Sequence, residues 1–205
     1  MSSTVWVNVG QCGNQVGLEL WKHLVSDHGD SQSIMEGTNP FFNLDGTARC
    51  VMVDSEPKVI QYAQQKFKQY HNPNNLQQVT PKLRDSNLHW EQSGRGNNWA
   101  MGYYGPQGTE GGEDSLCEKA VQSVRREAER CDTYTGSVLT HSISGGTGSG
   151  LGCRLLEALR DRFPNRYLTS LIITPLLSGE TPCQHYNSVL TMSFVRLPRS
   201  TQKYP

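Results

Sequence analysis

The chain has 205 residues, carries 19 Lys+Arg against 19 Asp+Glu, and is 35% hydrophobic with 20 glycines. Zero net charge excludes bulk attraction to a nucleic acid or an anionic membrane, so phosphate recognition must come from local backbone geometry. The composition fits a globular domain with many glycine loops, and no stretch approaches the ~20 apolar residues that span a bilayer.

Val5, Val7 and Val9 alternate with Trp6 and Asn8, which predicts a strand. Gly10 and Gly13 bracket a turn, and Val16, Leu20, Trp21, Leu24 and Val25 recur at helical spacing after it. Gly29 to Thr47 is polar and reads as a loop. Arg49 to Val53 is a second strand. Asp54 follows it, and Pro57 opens a helix whose buried face is Val59, Ile60, Ala63 and Phe67. Tyr70 to Gln92 is rich in Asn and Gln and has room only for a short strand near Leu88 to Glu91.

Ser93 to Gly112 is a glycine-dense loop, followed by a helix from about Glu113 to Cys131 that buries Leu116, Ala120, Val124 and Ala128. Ser137 to Ile143 is a strand, and Ser144 to Gly150 a sharp glycine loop. The next helix buries Leu151, Leu155, Leu156, Leu159 and Phe163. Leu168 to Thr174 is a strand and Asn187 to Val195 a helix, with a tail at 196–205 that is expected to be disordered. Strands alternating with helices imply a mostly parallel sheet covered on both faces, a three-layer α/β Rossmann-like architecture.

The six cysteines form no CxxC pair, which argues against zinc. Met1 to Asn8 lacks the pattern of a signal peptide, and the wide Cys spacing favours reduced thiols and a cytosolic setting.

The strongest chemical signal is Ser142-Ile143-Ser144-Gly145-Gly146-Thr147-Gly148-Ser149-Gly150, between a strand and a helix. Such glycines let backbone N–H groups converge on an anion, the helix N-terminus adds partial positive charge, and Thr147 and Ser149 offer hydroxyls. The bland alternative is a turn that only lets a helix pack. No Lys follows the glycines, so this is not a Walker loop. The first turn, Gly10-Gln11-Cys12-Gly13-Asn14-Gln15, lacks the dinucleotide spacing.

Gly145 to Gly150 resembles the tubulin signature. Gly10 to Gln15 resembles the first nucleotide loop of tubulins, Val53-Asp54-Ser55-Glu56-Pro57 their second, and Gly96-Asn97-Asn98-Trp99-Ala100 their third. Four motifs in family order make the tubulin family the match. Within it, Ala48 to Asp54, Glu56 to Ile60, Gly96 to Gly102 and Tyr186 to Thr191 resemble the delta-tubulins.

The resemblance implies a tubulin-type GTP-binding domain over residues 1–195, incomplete at its C-terminus, with GTP and Mg2+ as cofactors. It puts Gln11 and Cys12 near phosphates and ribose, Gln15 near the base, and Asn97 at the terminal phosphate. Ser142, Gly146, Thr147 and Gly148 would meet the inner phosphates, and Asp54 and Glu56 the metal. Taken alone, Glu56 is an acid at a helix start and Asn97 an ordinary loop asparagine. Cys12 has no basic neighbour in sequence, so no catalytic residue is assigned. Trp99 reads as core behind its loop, and His141 as a packed strand residue.

Ser144 stands where many tubulins have glycine, and Gln184 where a carboxylate often binds ribose; Glu180 matches an acidic family position. The guanine-reading asparagines, the central helix, the hydrolysis-promoting acidic loop and the second domain of tubulins have no counterpart here. Base selectivity is therefore expected to fall by about tenfold or more, and uncovered apolar surface to favour aggregation.

The implied role is a cytoplasmic, cytoskeletal subunit that meets other tubulins or microtubule and centriole components at a centriole, basal body or cilium. No nucleic acid or membrane partner is expected. The alternatives are a regulatory or inert fragment that binds GTP weakly and cannot polymerise, and a self-sufficient nucleotide-dependent enzyme. The second is disfavoured, since it needs the dinucleotide fingerprint or the Walker lysine.

Overall fold

The computed structural model describes residues 2–28, 31–69, 82–106, 112–176 and 181–196. Strands β1 (Ser2–Val9), β2 (Cys50–Asp54), β3 (Leu88–Trp90), β4 (Thr133–Ser142) and β5 (Tyr167–Ile173) form one sheet in the order β3-β2-β1-β4-β5. Every pairing is parallel. The helices are α1 (Gly10–His28), α2 (Ser31–Met35), α3 (Pro57–Gln69), α4 (Trp99–Tyr104), α5 (Leu116–Glu129), α6 (Gly152–Arg162) and α7 (Gln184–Arg196). No helix among the described residues is long and apolar enough to cross a membrane.

The period-2 pattern of β1 divides the molecule. Val5, Val7 and Val9 point into one core with Val51, Val53 and Leu139, where α5 contributes Ala120 and Val124 and α6 contributes Leu155 and Leu159. On the other face, Trp21 of α1 and Ile60, Ala63 and Phe67 of α3 pack on Cys50 and Met52. Trp21 is the hub of that second core, with ring contacts to Trp6, Phe42 and Phe67 at 5.8–6.5 Å.

Three expectations change. The buried face of α1 is Gly10, Gly13, Asn14, Gly17, Leu18 and Trp21, while Val16 is 41% exposed. The helix begins at Gly10 and lies so near the sheet that added side-chain carbons at Gly13 and Gly17 would strike the Thr140 carbonyl and the Asn8 side chain. The 29–47 loop contains α2 and buries Ile34 and Phe42. The 93–112 loop contains α4, because Asn98 caps it by accepting the Ala100 and Met101 N–H groups. Residues 197–205 lie outside the described ones, so the tail expectation is untested.

A charged hub holds α5 to the β2–β3 side. Glu127 is fully buried and accepts from Asn43 Nδ2 and Asn87 Nδ2, both at 2.9 Å, from Arg84 Nε at 3.1 Å and from Arg130 at 3.0 Å. A buried carboxylate is tolerable only with such pairing, and deleting it strands its donors. Glu127→Ala is expected to lower unfolding free energy by about 3–5 kcal/mol and Glu127→Gln by less, read from urea midpoints.

The far edge of the sheet is less covered. Leu168 packs on the α5–α6 core, whereas Tyr167 and Leu171 on the opposite face of β5 are exposed, as are Tyr186, Val189 and Leu190 at helical spacing on α7. Exposed apolar stripes on a chain of zero net charge favour association. The chain is expected to bind a hydrophobic dye and to associate with rising concentration, and Val189→Lys with Leu190→Lys to reduce both. A sharply melting, dye-silent monomer at neutral pH would contradict this.

Candidate functional site

Parallel pairing brings the C-terminal ends of the strands into one row: Val9 is level with Val53 and His141, and Asp54 with Trp90. The chain leaves β1 and β4 into helices of different layers, α1 and α6. The crevice between these strand ends is the topological switch point of the sheet, where open α/β folds bind ligands. The four sequence motifs follow β1, β2, β3 and β4, and so line one edge.

At the centre two backbones nearly touch. Gly10 has φ +73°, and a Cβ built on it would lie 2.8 Å from the Gly148 N. A Cβ on Gly148 would lie 3.0 Å from the Ser142 carbonyl, and one on Gly146 2.8 Å from the Arg95 carbonyl. A side chain at Gly10 or Gly146 would strike main chain and one at Gly148 would crowd it, and the chain from Thr147 to Leu151 winds into a π-type turn that runs into α6. The result is close main-chain packing at the mouth of the crevice, the kind of backbone wall a phosphate site uses. His141 anchors it from below: Nδ1 donates to the Gly148 carbonyl at 2.8 Å, and Nε2 accepts from Ser170 Oγ at 2.7 Å. Burial holds this imidazole down to about 4, so it is neutral and structural.

The second loop supplies charge. Asp54 is buried and accepts the Ser55 N–H at 2.8 Å, while Glu56 is exposed. Desolvation pushes the Asp54 carboxyl up to about 7 and Glu56 adds repulsion, against the N–H groups of Ser55 and Glu56 and the charge of Arg95. Two hard oxygen donors in a site that disfavours their joint ionisation suit a hard divalent cation, which would relieve both effects. Among the described residues no group of three or more His, Cys, Asp or Glu converges as a ready-made metal cage. A cation here would therefore draw its other ligands from phosphate and water. Ser55 Oγ meets Thr147 Oγ1 at 2.6 Å and ties this loop to the glycine loop.

In the third loop, Asn97 has φ +49°, the one left-handed non-glycine among the described residues. A Cβ on Gly145 would lie 3.9 Å from its Oδ1, so its side chain faces the glycine loop. Behind it Trp99 stacks on Tyr103 at 4.7 Å and tilts against Phe194, the packing role expected of it.

Gln11 and Gln15 lie four apart on α1 and are exposed; Cys12 is half-buried, its thiol pushed up by burial, which suits contact rather than nucleophilic attack. Ser142 is buried, with its hydroxyl 2.8 Å from Ser144 Oγ. The structure thus gathers Gln11, Cys12, Gln15, Asp54, Glu56, Asn97, Ser142, Gly146, Thr147 and Gly148 along the same strand ends. Glu180 lies outside the described residues. Sequence reasoning gave no role to Asn14, whose Nδ2 donates to Gly10 and Val53 carbonyls at 2.9 Å, or to Ser55, Arg95 and Asn187. Asn14 and Ser55 stood inside quoted motifs, and their small polar side chains were the available signal.

Residues 3–199 match the model of the Tubulin/FtsZ family, GTPase domain. The chain is 35% identical to the tubulin beta-2 chain of Emericella nidulans over 94% of its length, and 36% identical to the tubulin beta-1 chain of Hypocrea rufa over 92%. It is 35% identical to the tubulin beta-1 chain of Geotrichum candidum over 94%. In each case it spans 42% of the relative, less than half the length of the curated relatives it matches. Sheet order, the glycine cleft at the switch point and these matches agree: the chain belongs to the tubulin/FtsZ family and carries its GTPase-domain fold.

Proposed function

We propose that the crevice binds GTP with Mg2+, and that the chain is the nucleotide-binding part, over residues 1–195, of a tubulin-type cytoskeletal subunit. The observation that carries this reading is the close approach of Gly10 to Gly148 at the switch point, which leaves main chain rather than side chains to meet a phosphate. Ser142, Gly146, Thr147 and Gly148 would face the inner phosphates, Gln11 and Cys12 the phosphates and ribose, Gln15 the base, Asn97 the terminal phosphate, and Glu180 the ribose. Mg2+ would neutralise phosphate charge, held on the protein side by Asp54 and Glu56. Arg95, buried near Asp54, limits the negative charge that the two acids present to an arriving phosphate.

Such a chain would be a switch and half of an active site, with hydrolysis completed between subunits. The runs Ala48 to Asp54, Glu56 to Ile60, Gly96 to Gly102 and Tyr186 to Thr191 favour a delta-type subunit. Its partners would be other tubulins or centriole components, and its place the cytoplasm at a centriole, basal body or cilium. The exposed apolar stripes of β5 and α7 favour a second reading for the chain alone, a fragment that binds GTP weakly and does not polymerise.

Binding of GTP, GDP and ATP with Mg2+ is the test, beside Gly148→Val. The chain is expected to bind guanine nucleotide in a magnesium-dependent way, and the valine to weaken it roughly tenfold or more, since overpacking displaces the loop. A folded chain that ignores all three nucleotides would remove the proposal. Asp54 makes a second prediction. Its folded value lies above that of an unfolded aspartate, so the unfolded state ionises first and this group's effect is to erode stability as pH rises from about 4 to about 7. The melting temperature of Asp54→Asn should gain on wild type across that window and hold a constant lead above it. A pH-independent difference would contradict the burial argument.

A further inference from the structure

Helix α7 reaches the crevice through one side chain. Asn187 is 2% exposed, and its amide bonds three groups. Nδ2 donates to the Asn97 carbonyl at 2.7 Å and to the Ser144 carbonyl at 2.8 Å, and Oδ1 accepts the Trp99 N–H at 3.0 Å. Both amide protons are therefore spent on main chain of two separate loops, and Oδ1 serves the first N–H of α4. The helix holds the residue in turn: Asn187 N donates to the Cys183 carbonyl at 3.0 Å, and Thr191 Oγ1 to the Asn187 carbonyl at 2.8 Å.

The two ends of the cleft have different supports. The Gly10–Gly148 end rests on His141 and Asn14, which belong to the sheet and α1. The end where Asn97 faces Gly145 rests on Asn187, which grips the carbonyl of Asn97 itself, a residue in the left-handed region with no glycine freedom. We propose that Asn187 is a positioning residue for the terminal-phosphate end of the nucleotide. By fixing the Asn97 and Ser144 carbonyls it aims the Asn97 side chain, and so sets the preference for triphosphate over diphosphate. This rests on the nucleotide-binding reading above. Thr147 and Gly148, read above as inner-phosphate contacts, lie at the end held by His141 rather than Asn187, so loss of Asn187 is expected to weaken triphosphate more than diphosphate.

The experiment measures Mg2+-dependent binding of a non-hydrolysable GTP analogue and of GDP to wild type, Asn187→Ala, Asn97→Ala and the double variant. Leu190→Gly, an exposed change that lowers helix propensity, is the control for a fault in α7 that touches neither loop nor Asn187. Asn187→Ala should weaken analogue binding about tenfold and GDP binding less than about twofold. The double variant should bind the analogue within about twofold of Asn97→Ala alone, because both changes remove one effect. Leu190→Gly should lower the melting temperature and leave the ratio of the two affinities unchanged. If Asn187→Ala does not fold, Asn187→Ser, which leaves space for a water among the three groups, is held to the same expectation. Equal weakening of both nucleotides, or additive losses in the double variant, would overturn the positioning role while leaving nucleotide binding standing. A folded wild type that binds neither nucleotide would overturn both.

Discussion

Everything at the strand ends depends on the approach of Gly10 to Gly148. The turns leaving β1 and β4 meet main chain to main chain, because a Cβ at either glycine would press on backbone. That contact lets α1 and α6 start from neighbouring points and diverge to opposite faces of the sheet. The glycines of α1 extend the constraint: Gly13 and Gly17 let the helix lie against β4 and β1, and apolar packing resumes only where Trp21 meets Trp6, Phe42 and Phe67. Placing side chains on this spine would stabilise an isolated helix and separate it from the sheet.

A cleft made of main chain needs its polar groups aimed before a ligand arrives, since reorganisation on binding would subtract from affinity. The structure does this with buried side chains that bind loop carbonyls. Asn14 takes those of Gly10 and Val53, His141 that of Gly148, and Asn187 those of Asn97 and Ser144. Each carbonyl so held lies in or beside one of the turns that leave the strand ends. Ser55 and Thr147 instead satisfy each other across two loops at 2.6 Å, a bond that a phosphate oxygen accepting from Thr147 would replace. The electrostatics follow the same logic. Asp54 resists ionisation in its buried place beside Glu56, so a cation at this edge gains from both carboxylates more than either exposed acid would supply.

Much of this was legible in the sequence. Alternation in β1, the apolar run of β2 and the period of α5 and α6 gave the element order, and alternation of strand with helix gave a parallel sheet. The glycine run after β4 marked the cleft. What escaped has identifiable physics. The face of α1 was misread because its inward residues are glycines and Asn14, which carry no hydrophobic signal, whereas exposed Val16 does. Helix α4 was hidden in a glycine-dense loop because its start depends on the Asn98 cap and its N1 group on Asn187, 88 residues away. The supporting asparagines and serines were illegible for a related reason: a polar residue reads as solvated until the fold shows it buried with its bonds made.

The supports of the cleft also determine what it can sense. His141 passes through Ser170 to β5, and Asn187 leads into α7. Both elements carry exposed apolar residues: Leu171 on the strand, and Tyr186, Val189 and Leu190 on the helix. The neutral state of His141 leaves Nε2 able to accept from Ser170 while Nδ1 donates to Gly148, so the link keeps one form across the physiological range. A contact that shifted β5 or α7 would act on residues that hold carbonyls at the crevice. By thermodynamic reciprocity, a ligand that fixes those carbonyls biases the exposed face by the same free energy. The crevice at the strand ends and the exposed apolar residues of β5 and α7 are thus linked by hydrogen bonds through a histidine and an asparagine.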